Sequence, residues 1–336
     1  MSKTNVICLT SVRNDSWILK NFIEYAKKWA DLIIIGDHHS ADDSATIARQ
    51  YNCVRVISHQ PSSSFLGRRR DLLGEARKVP GKRLIFLLDS DEIISANWAD
   101  SSEWDLMLNA PPGTYFAFDW LELYPGLEQT AVFRMPAVFV DDGSEYPLGE
   151  RIHGSRFPET PADIVELKDI KLLHLIAIDP ERIISKHRYY KCYEYIELGR
   201  RPWALDVYYQ DTKLTTYDAP LVPVKEEWIK GFDWLNEYHS NIERKEKCYW
   251  YDEEVLNYFD KYGVEKFRKL NIWDVDWNKK ARLLGKKETY GDPRSSYEVW
   301  VHKFIGKYRK ELKIKQNIPF KAARLFGKTG LRALGW

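Results

Sequence analysis

Two carboxylates, Asp89 and Asp91, stand one residue apart directly after 83–88 (RLIFLL), the most continuously apolar segment of the chain. A segment of this kind predicts a central strand that is buried on both faces. Adjacent acids at the end of such a strand need their charge satisfied, and a hard divalent cation with oxygen ligands does this well. Such a cation can also bridge a diphosphate and neutralise its charge while a bond to it breaks. The motif, with Ser90 between the two acids, therefore predicts a Mg²⁺ or Mn²⁺ site, although solvated acids at a strand end are the simpler alternative.

Two further polar loops follow predicted strands, at 11–15 (SVRND) and at 37–42 (DHHSAD). Ligands of parallel α/β sheets bind at the carboxyl ends of the strands, so both loops should share an edge with the acidic motif. A short loop of acids and hydroxyls there can hold a base or a ribose by hydrogen bonds. Arg13 is a candidate phosphate contact, and one or two residues of the run 68–70 (RRR) could face a diphosphate. For each of these residues an ordinary surface or capping role is the competing interpretation.

The hydrophobic pattern sets the elements that must position these loops. Apolar runs alternate with helix-period segments over residues 6–88, which is typical of βαβ units and a parallel sheet. Further strands are predicted at 115–121, 130–140 and 170–176, and helices at 102–108, 181–198, 226–239 and 253–269. The predicted fold class is α/β: a mixed, mostly parallel sheet flanked by helices, followed by a mostly helical C-terminal lobe.

Composition excludes several classes of protein. The chain has 336 residues, of which 44% are hydrophobic, so a sizeable core is expected rather than disorder. No apolar run approaches the ~20 residues of a membrane-spanning helix. The apolar stretch near the N-terminus is too short for a signal peptide, and the four cysteines have neither metal-type spacing nor a disulfide pattern. We therefore expect a cytoplasmic protein, peripheral to the inner membrane face if it contacts a membrane at all.

The charge of the chain is unevenly distributed. Residues 302–336 contain ten Lys or Arg and one acid, whereas the remainder holds 41 bases and 48 acids. An acidic body argues against nucleic acid as a partner. A basic tail with apolar residues, in which Lys321, Arg324, Lys328 and Arg332 form one helical stripe, is typical of a segment that binds an anionic membrane surface. A solvated basic tail is the equally simple alternative.

Taken in order, these motifs resemble the inverting family 2 glycosyltransferases, which have the GT-A nucleotide-sugar-binding fold. The resemblance covers residues 4–95 best. It implies that the donor nucleotide-sugar contacts a set of residues from all three loops and the helix before the acidic strand: Ser11, Arg13, Asp37, Arg70, Asp89 and Ser90. It also assigns the metal to Asp89 and Asp91, with Asp91 the direct ligand.

Beyond residue 95 the chain is similar to bacterial transferases that build lipopolysaccharide cores and capsules. These often carry a His-Glu pair, then a Leu-x-His segment and a helix rich in Lys and Tyr. Here His153 is followed by Gly154 rather than Glu, which leaves the catalytic base open between Glu150 and Asp119. The Leu-x-His segment ends in His174, a candidate third metal ligand or an ordinary core histidine.

The resemblance implies transfer of a sugar from a nucleoside diphosphate sugar, with UDP-sugar favoured, to a glycan or lipid-linked acceptor. A divalent cation would assist the reaction, and the acceptor would attack with inversion. The expected domains are 1–185 for the donor and catalysis, 186–301 for a helical, aromatic-rich lobe, and 302–336 for the basic tail.

Three alternatives stay open. A relative that binds sugar nucleotides without catalysis would explain the missing Glu after His153. A metal-dependent nucleotidyltransferase also uses acids at strand ends, but the first loop of this chain has no glycine. A phosphatase of the haloacid dehalogenase type is disfavoured because Glu92, not Gly-Thr, follows the second acid.

Overall fold

The computed structural model describes residues 3–60, 64–146, 156, 158, 164–209, 221–235, 247–287 and 289–314. The chain forms two compact units. The first unit comprises residues 1–179 and 217–243, and the second comprises 180–216 and 244–336. The division therefore falls at Asp179, and a later segment of the chain returns to the first unit.

A nine-stranded mixed sheet forms the centre of the first unit. The strands are β1 (Asn5–Val12), β2 (Leu32–Asp37), β3 (Val54–Ser58), β4 (Arg83–Leu87), β5 (Glu92–Ile94), β6 (Tyr115–Leu123), β7 (Gln129–Val140), β8 (Val165–His174) and β9 (Leu221–Pro223). Their order across the sheet is β3-β2-β1-β4-β7-β6-β8-β5, with β9 paired to β7. The pairings β3-β2, β2-β1 and β1-β4 are parallel. Their carboxyl ends therefore meet at one edge.

Helices cover both faces of the parallel half of the sheet. They are α1 (Ser16–Ala26), α2 (Ser44–Ala48), α3 (Phe65–Ala76) and α4 (Ser102–Asn109). In β1, Val6 and Cys8 pack on the core that includes α1, α2 and α4, whereas Ile7 and Leu9 pack on the core that includes α3. This alternation of fully apolar residues is what a strand buried on both faces requires.

The other half of the sheet brings β8 beside the acidic motif. Strand β5, which the sequence pattern does not predict, follows Asp91 at once and pairs antiparallel with β8. Strand β8 pairs parallel with β6, so that His174 lies between Glu92 and Glu122 in register. A three-residue strand is too short for hydrophobic periodicity to reveal.

A short helix, α7 (Glu226–Ile229), belongs to the first unit, where the sequence pattern predicts a longer helix over 226–239. The described part of the second unit is helical: α5 (Pro180–Glu197), α6 (Pro202–Tyr208), α8 (Trp250–Tyr262), α9 (Trp277–Leu283) and α10 (Ser296–Ile314). Aromatic side chains from α5 and α8 dominate its core. The predicted fold class, a Rossmann-like mixed sheet of the GT-A type flanked by helices and followed by a helical region, is confirmed. None of the described helices combines the length and the apolar character that crossing a bilayer requires.

Candidate functional site

The loops after β1 and β2 are held together by hydrogen bonds. The backbone NH of Asn14 donates to Oγ of Ser40 at 3.0 Å, and Oδ1 of Asn14 accepts from the NH of Ala41 at 2.7 Å. Asn14 has a positive φ of 57°, a conformation that asparagine adopts more easily than most residues. Ser40 in turn donates its NH to Oδ1 of Asp37 at 3.3 Å. Asp37 and the loop after β1 therefore belong to one hydrogen-bonded network.

Ser90 connects the acidic motif to the same hydrogen-bonded network. The Ser90 hydroxyl donates to Oδ2 of Asp15 at 2.8 Å, and this carboxylate also accepts the NH of Arg13 at 3.2 Å. Ser90 is 5% exposed and Asp91 7% exposed, so these two residues of the motif lie inside the edge of the sheet rather than on its surface. The loops that carry Ser11, Arg13, Asp37, Ser90 and Asp91 therefore converge, as the sequence predicts for a shared strand edge.

A buried ion pair anchors the turn of the acidic motif. Glu92 is fully buried and accepts two hydrogen bonds from Arg156, at 2.6 and 2.8 Å. It also accepts the backbone NH of Asp89 at 2.9 Å and the indole NH of Trp120 at 2.8 Å. Burial opposes the charged form of Arg156, but the Glu92 and Asp89 carboxylates outweigh it and raise the pKa of Arg156. Glu92 is thereby fixed and fully hydrogen-bonded, which fixes the backbone at Asp89.

Two arginines, rather than one, accompany Asp89. Nη2 of Arg156 lies 3.3 Å from Oδ2 of Asp89, whose side chain is 57% exposed. Arg69 is 8% exposed and packs over the Phe65 ring at 4.4 Å. Burial lowers the pKa of Arg69 to about 10, and the Asp89 carboxylate opposes that shift. At neutral pH the site therefore presents two cations beside an exposed carboxylate.

Arg70, the arginine that the resemblance points to, lies one position further along α3 and is less buried than Arg69. One residue turns a helix by about 100°, so the two side chains leave α3 in different directions. Arg69 interacts electrostatically with the Asp89 carboxylate. The role of Arg70 in donor binding stays a prediction.

Asp91 faces the end of β8. Its Oδ2 lies 3.6 Å from Nε2 of His174, and the His174 ring stacks on Trp120 with ring centroids 4.3 Å apart. Burial lowers the pKa of His174, but the Asp91, Glu92 and Glu122 carboxylates outweigh it, so that the pKa is raised. Glu122 is 3% exposed, and its pKa is raised by burial and by Asp91, with His174 opposing. Three titratable groups are thus buried together at this edge.

The predicted metal ligands are only partly assembled. Asp91 and His174 lie together, whereas Asp89 is directed to Arg156. Within the described ranges, no group of three or more His, Cys, Asp or Glu side chains has the arrangement of a cation site. Nδ1 of His174 is buried and has no hydrogen-bond partner among the residues that the structure describes. A carboxylate with one further ligand fits an ion that takes its other ligands from substrate phosphates and water.

The two predicted base candidates lie elsewhere or outside the described residues. Asp119 is three residues before Glu122 on β6, and the alternation of a strand puts it on the opposite face. There it pairs with Nζ of Lys171 at 2.7 Å and with Nη2 of Arg134 at 3.1 Å. Glu150 and His153 are outside the described residues. Glu122, which the sequence analysis did not consider, interacts electrostatically with Asp91 and His174.

Ser11 has a buried partner that the sequence analysis did not predict. Its Oγ lies 3.4 Å from Nε2 of His59, while Nδ1 of His59 lies 3.2 Å from Oδ2 of Asp71. Burial lowers the pKa of His59, and Asp71 only partly opposes this. The ring also covers Gly36, where a Cβ atom would meet Nε2 at 2.0 Å. The signal for His59 was its place directly after β3, at the same edge as the three loops.

Comparisons with known proteins give weak likenesses. No protein-family model matches the chain, and no curated protein sequence matches it. Among solved structures, glucosyl-3-phosphoglycerate synthase from Mycobacterium tuberculosis is 18% identical, with 37% of this chain and 45% of that chain covered and a TM-score of 0.26. S. aureus TarS is 13% identical, with 79% and 54% covered and a TM-score of 0.37. HddC from Yersinia pseudotuberculosis is 12% identical, with 53% and 96% covered and a TM-score of 0.32.

This chain spans less than half the length of the mycobacterial synthase. TM-scores of this size establish neither a shared fold nor a shared activity with these proteins. The assignment of function must therefore come from the residues of this chain and from their geometry.

Proposed function

We propose that the protein is an inverting glycosyltransferase that uses a nucleoside diphosphate sugar, with UDP-sugar the favoured donor. One observation carries the proposal: the hydrogen bond from Ser90 to Asp15 ties the acidic motif to the loops of Arg13 and Asp37. A nucleotide bound at the first two loops would place its diphosphate beside Asp89 and Asp91. This is the edge of the sheet at which such ligands bind.

The charges at the edge suit a diphosphate leaving group. Negative charge builds on the diphosphate as its bond to the sugar stretches, so cations fixed at that place stabilise the transition state more than the ground state. Arg69 is held by burial, and Arg156 by burial and by its ion pairs with Asp89 and Glu92, before any substrate arrives. They need no reorganisation during the reaction, which is the condition under which such groups are most effective.

Asp91 and His174 would hold a Mg²⁺ or Mn²⁺ ion, which would supply further positive charge to the diphosphate oxygens. Imidazole binds a metal in its neutral form, so His174 would have to be neutral to hold the ion, whereas the surrounding carboxylates raise its pKa. Asp91 would remain the anchoring ligand.

A carboxylate must accept the proton of the acceptor hydroxyl as that oxygen attacks the sugar. Glu122 joins Glu150 as a candidate because it is buried beside Asp91, and burial raises its pKa toward neutrality. Asp119 is a weaker candidate, since Lys171 and Arg134 already bind its carboxylate on the other face of β6. These two ion pairs would have to break before the Asp119 carboxylate could contact an acceptor hydroxyl.

The direct test is a thermal-shift panel of UDP-, GDP- and dTDP-sugars, each with and without Mn²⁺, followed by a donor-hydrolysis assay. A ligand at 100 times its Kd stabilises the folded state by about 2.7 kcal/mol, which is readily measured. We expect one nucleotide to respond in a Mn²⁺-dependent manner, and Asp91→Asn to abolish that response. Glu254→Gln, a change on helix α8 of the second unit, is the matched control.

The assay also separates the alternatives. Binding without donor hydrolysis or transfer would indicate a non-catalytic sugar-nucleotide-binding protein. Release of pyrophosphate from a nucleoside triphosphate would indicate a nucleotidyltransferase. Donor turnover that Asp91→Asn leaves unchanged would reject a metal-assisted transferase. The acceptor, which we propose to be a glycan or a lipid-linked sugar, would be sought only after the donor is known.

A further inference from the structure

Helix α10 is attached to the second unit along one of its faces. Val301 and Ile305 are 2% and 5% exposed and pack with Trp203 of the α6 helix. Nδ1 of His302 lies 3.0 Å from Oδ2 of Asp206 on the same helix. The apolar pair and the polar pair together define the face by which α10 is held.

A different face of α10 exposes three aromatic side chains. Tyr297 is 46% exposed, Trp300 59% and Phe304 39%. Their spacing of three and four residues places them on one helical stripe. The Trp300 and Phe304 rings stack on each other, with centroids 5.5 Å apart and planes 17° from parallel. A contiguous aromatic patch of this kind on a folded surface marks an interaction site.

A basic side chain adjoins the aromatic stripe. Lys303 is exposed. At 100° per residue its position lies beside that of Trp300, on the side away from Val301 and Ile305. The segment 302–336 as a whole has ten basic residues and one acid. The partner of this face must therefore offer both an apolar region and negative charge.

We propose that α10 docks its aromatic face on an anionic membrane surface. Trp300, Phe304 and Tyr297 would enter the boundary between headgroups and acyl chains, where rings with one polar and one apolar end are most stable. Lys303 would contact a lipid phosphate, and each further basic residue of the segment 302–336 near the surface would add to the attraction. Helix α10 belongs to the second unit and the candidate donor-binding residues to the first, and the inference stands whether or not the chain transfers a sugar.

The test is flotation of the full-length protein with vesicles of phosphatidylcholine alone or with phosphatidylglycerol added. We expect the protein to float with the anionic vesicles only, and the bound fraction to fall as salt is raised. Trp300→Ala combined with Phe304→Ala should reduce partitioning on the order of tenfold or more, because most of the inserted area is lost. Lys303→Glu should weaken binding on the order of tenfold.

Leu106→Ala is the matched control, since Leu106 is 49% exposed on α4 of the first unit and should not affect flotation. Circular dichroism of each variant verifies that the fold is retained. We expect it to be retained because the replaced side chains are exposed. Flotation of the aromatic double variant at the wild-type level would overturn the proposal, because the tail alone would then account for binding. A wild-type dimer that the double variant converts to a monomer would also overturn it and assign the face to a second copy.

Discussion

The Ser90 hydroxyl donates a 2.8 Å hydrogen bond to Oδ2 of Asp15, across 75 positions of the sequence. Asp15 also precedes helix α1 and accepts the NH of Arg13, so one carboxylate fixes both the first loop and the acidic motif. The relative placement of the residues that we propose to bind the nucleoside and the diphosphate therefore depends on this bond. Its geometry is set before a donor binds.

Replacement of Ser90 by alanine tests that dependence. We expect Ser90→Ala to reduce the free energy of unfolding by about 1 kcal/mol, the usual contribution of one hydrogen bond. Because the two loops lose their link, donor affinity should fall roughly threefold to tenfold. Isothermal titration with the responsive nucleotide measures the affinity, and Ser102→Ala, at the exposed start of α4, is the control. Unchanged affinity in Ser90→Ala would show that the loops are held by other contacts.

The Arg156–Glu92 pair makes a prediction about stability. Either Arg156→Met or Glu92→Leu leaves one buried charge without its partner, which costs about 3–5 kcal/mol. The double variant removes both charges, so we expect it to be less destabilised than the sum of the two single variants. Urea unfolding of the four proteins gives the coupling energy. Strict additivity would contradict the buried pair.

The structure and the family resemblance point to different arginines as the donor contact. The structure favours Arg69, and the resemblance implies Arg70. Arg69 is buried beside Asp89, so Arg69→Gln should lower kcat/KM for donor hydrolysis by roughly 10²-fold, the loss typical of one fixed group in a transition-state site. Arg70→Gln should have a smaller effect. Steady-state kinetics of both variants decides the question. A larger loss in Arg70→Gln would favour the sequence-based assignment instead.

The parts of this site that follow from local pattern could be predicted from the sequence, and the rest could not. Buried β1 and β4 are visible as apolar runs, and the parallel arrangement puts Asp37 and Asp91 at one edge. Arg156 reaches Glu92 from 64 positions away, through a segment with no periodicity to place it. Glu122 is one of two acids in the otherwise apolar strand β6, and only the register with His174 shows its surroundings.

The close approach of His59 to Gly36 predicts opposite outcomes for two similar substitutions. Gly36→Ala would place a Cβ atom 2.0 Å from Nε2 of His59, and such overpacking costs typically 1–3 kcal/mol. Gly74, in α3, has no atom within 4 Å of an added Cβ, so Gly74→Ala should stabilise by about 0.5–1 kcal/mol. Thermal unfolding of both variants provides the comparison. Combining Gly36→Ala with His59→Ala should recover part of the loss, and a further loss of stability on combination would contradict the steric explanation.

Asp141 predicts how stability depends on pH. It is 6% exposed and pairs with Arg77 at 2.8 Å and with Arg83 at 2.9 Å. Burial would raise the pKa of Asp141, but the hydrogen bonds from Arg77, Gly143 and Arg83 outweigh it, so the pKa in the folded state is lowered.

A lowered pKa means that the pair stabilises the folded state above the unfolded-state pKa, about 3.9 for Asp, and that this contribution is lost as pH falls through the folded-state pKa. Asp141→Asn removes the contribution at every pH. The difference in unfolding free energy between wild type and Asp141→Asn should therefore be constant from about pH 7 to pH 5 and shrink below about pH 4. Urea unfolding across that range measures it. Arg77 and Arg83 stay charged throughout this pH range. If the difference in unfolding free energy between wild type and Asp141→Asn grew toward low pH, the ion pairs of Asp141 would not be the source of its stabilising effect.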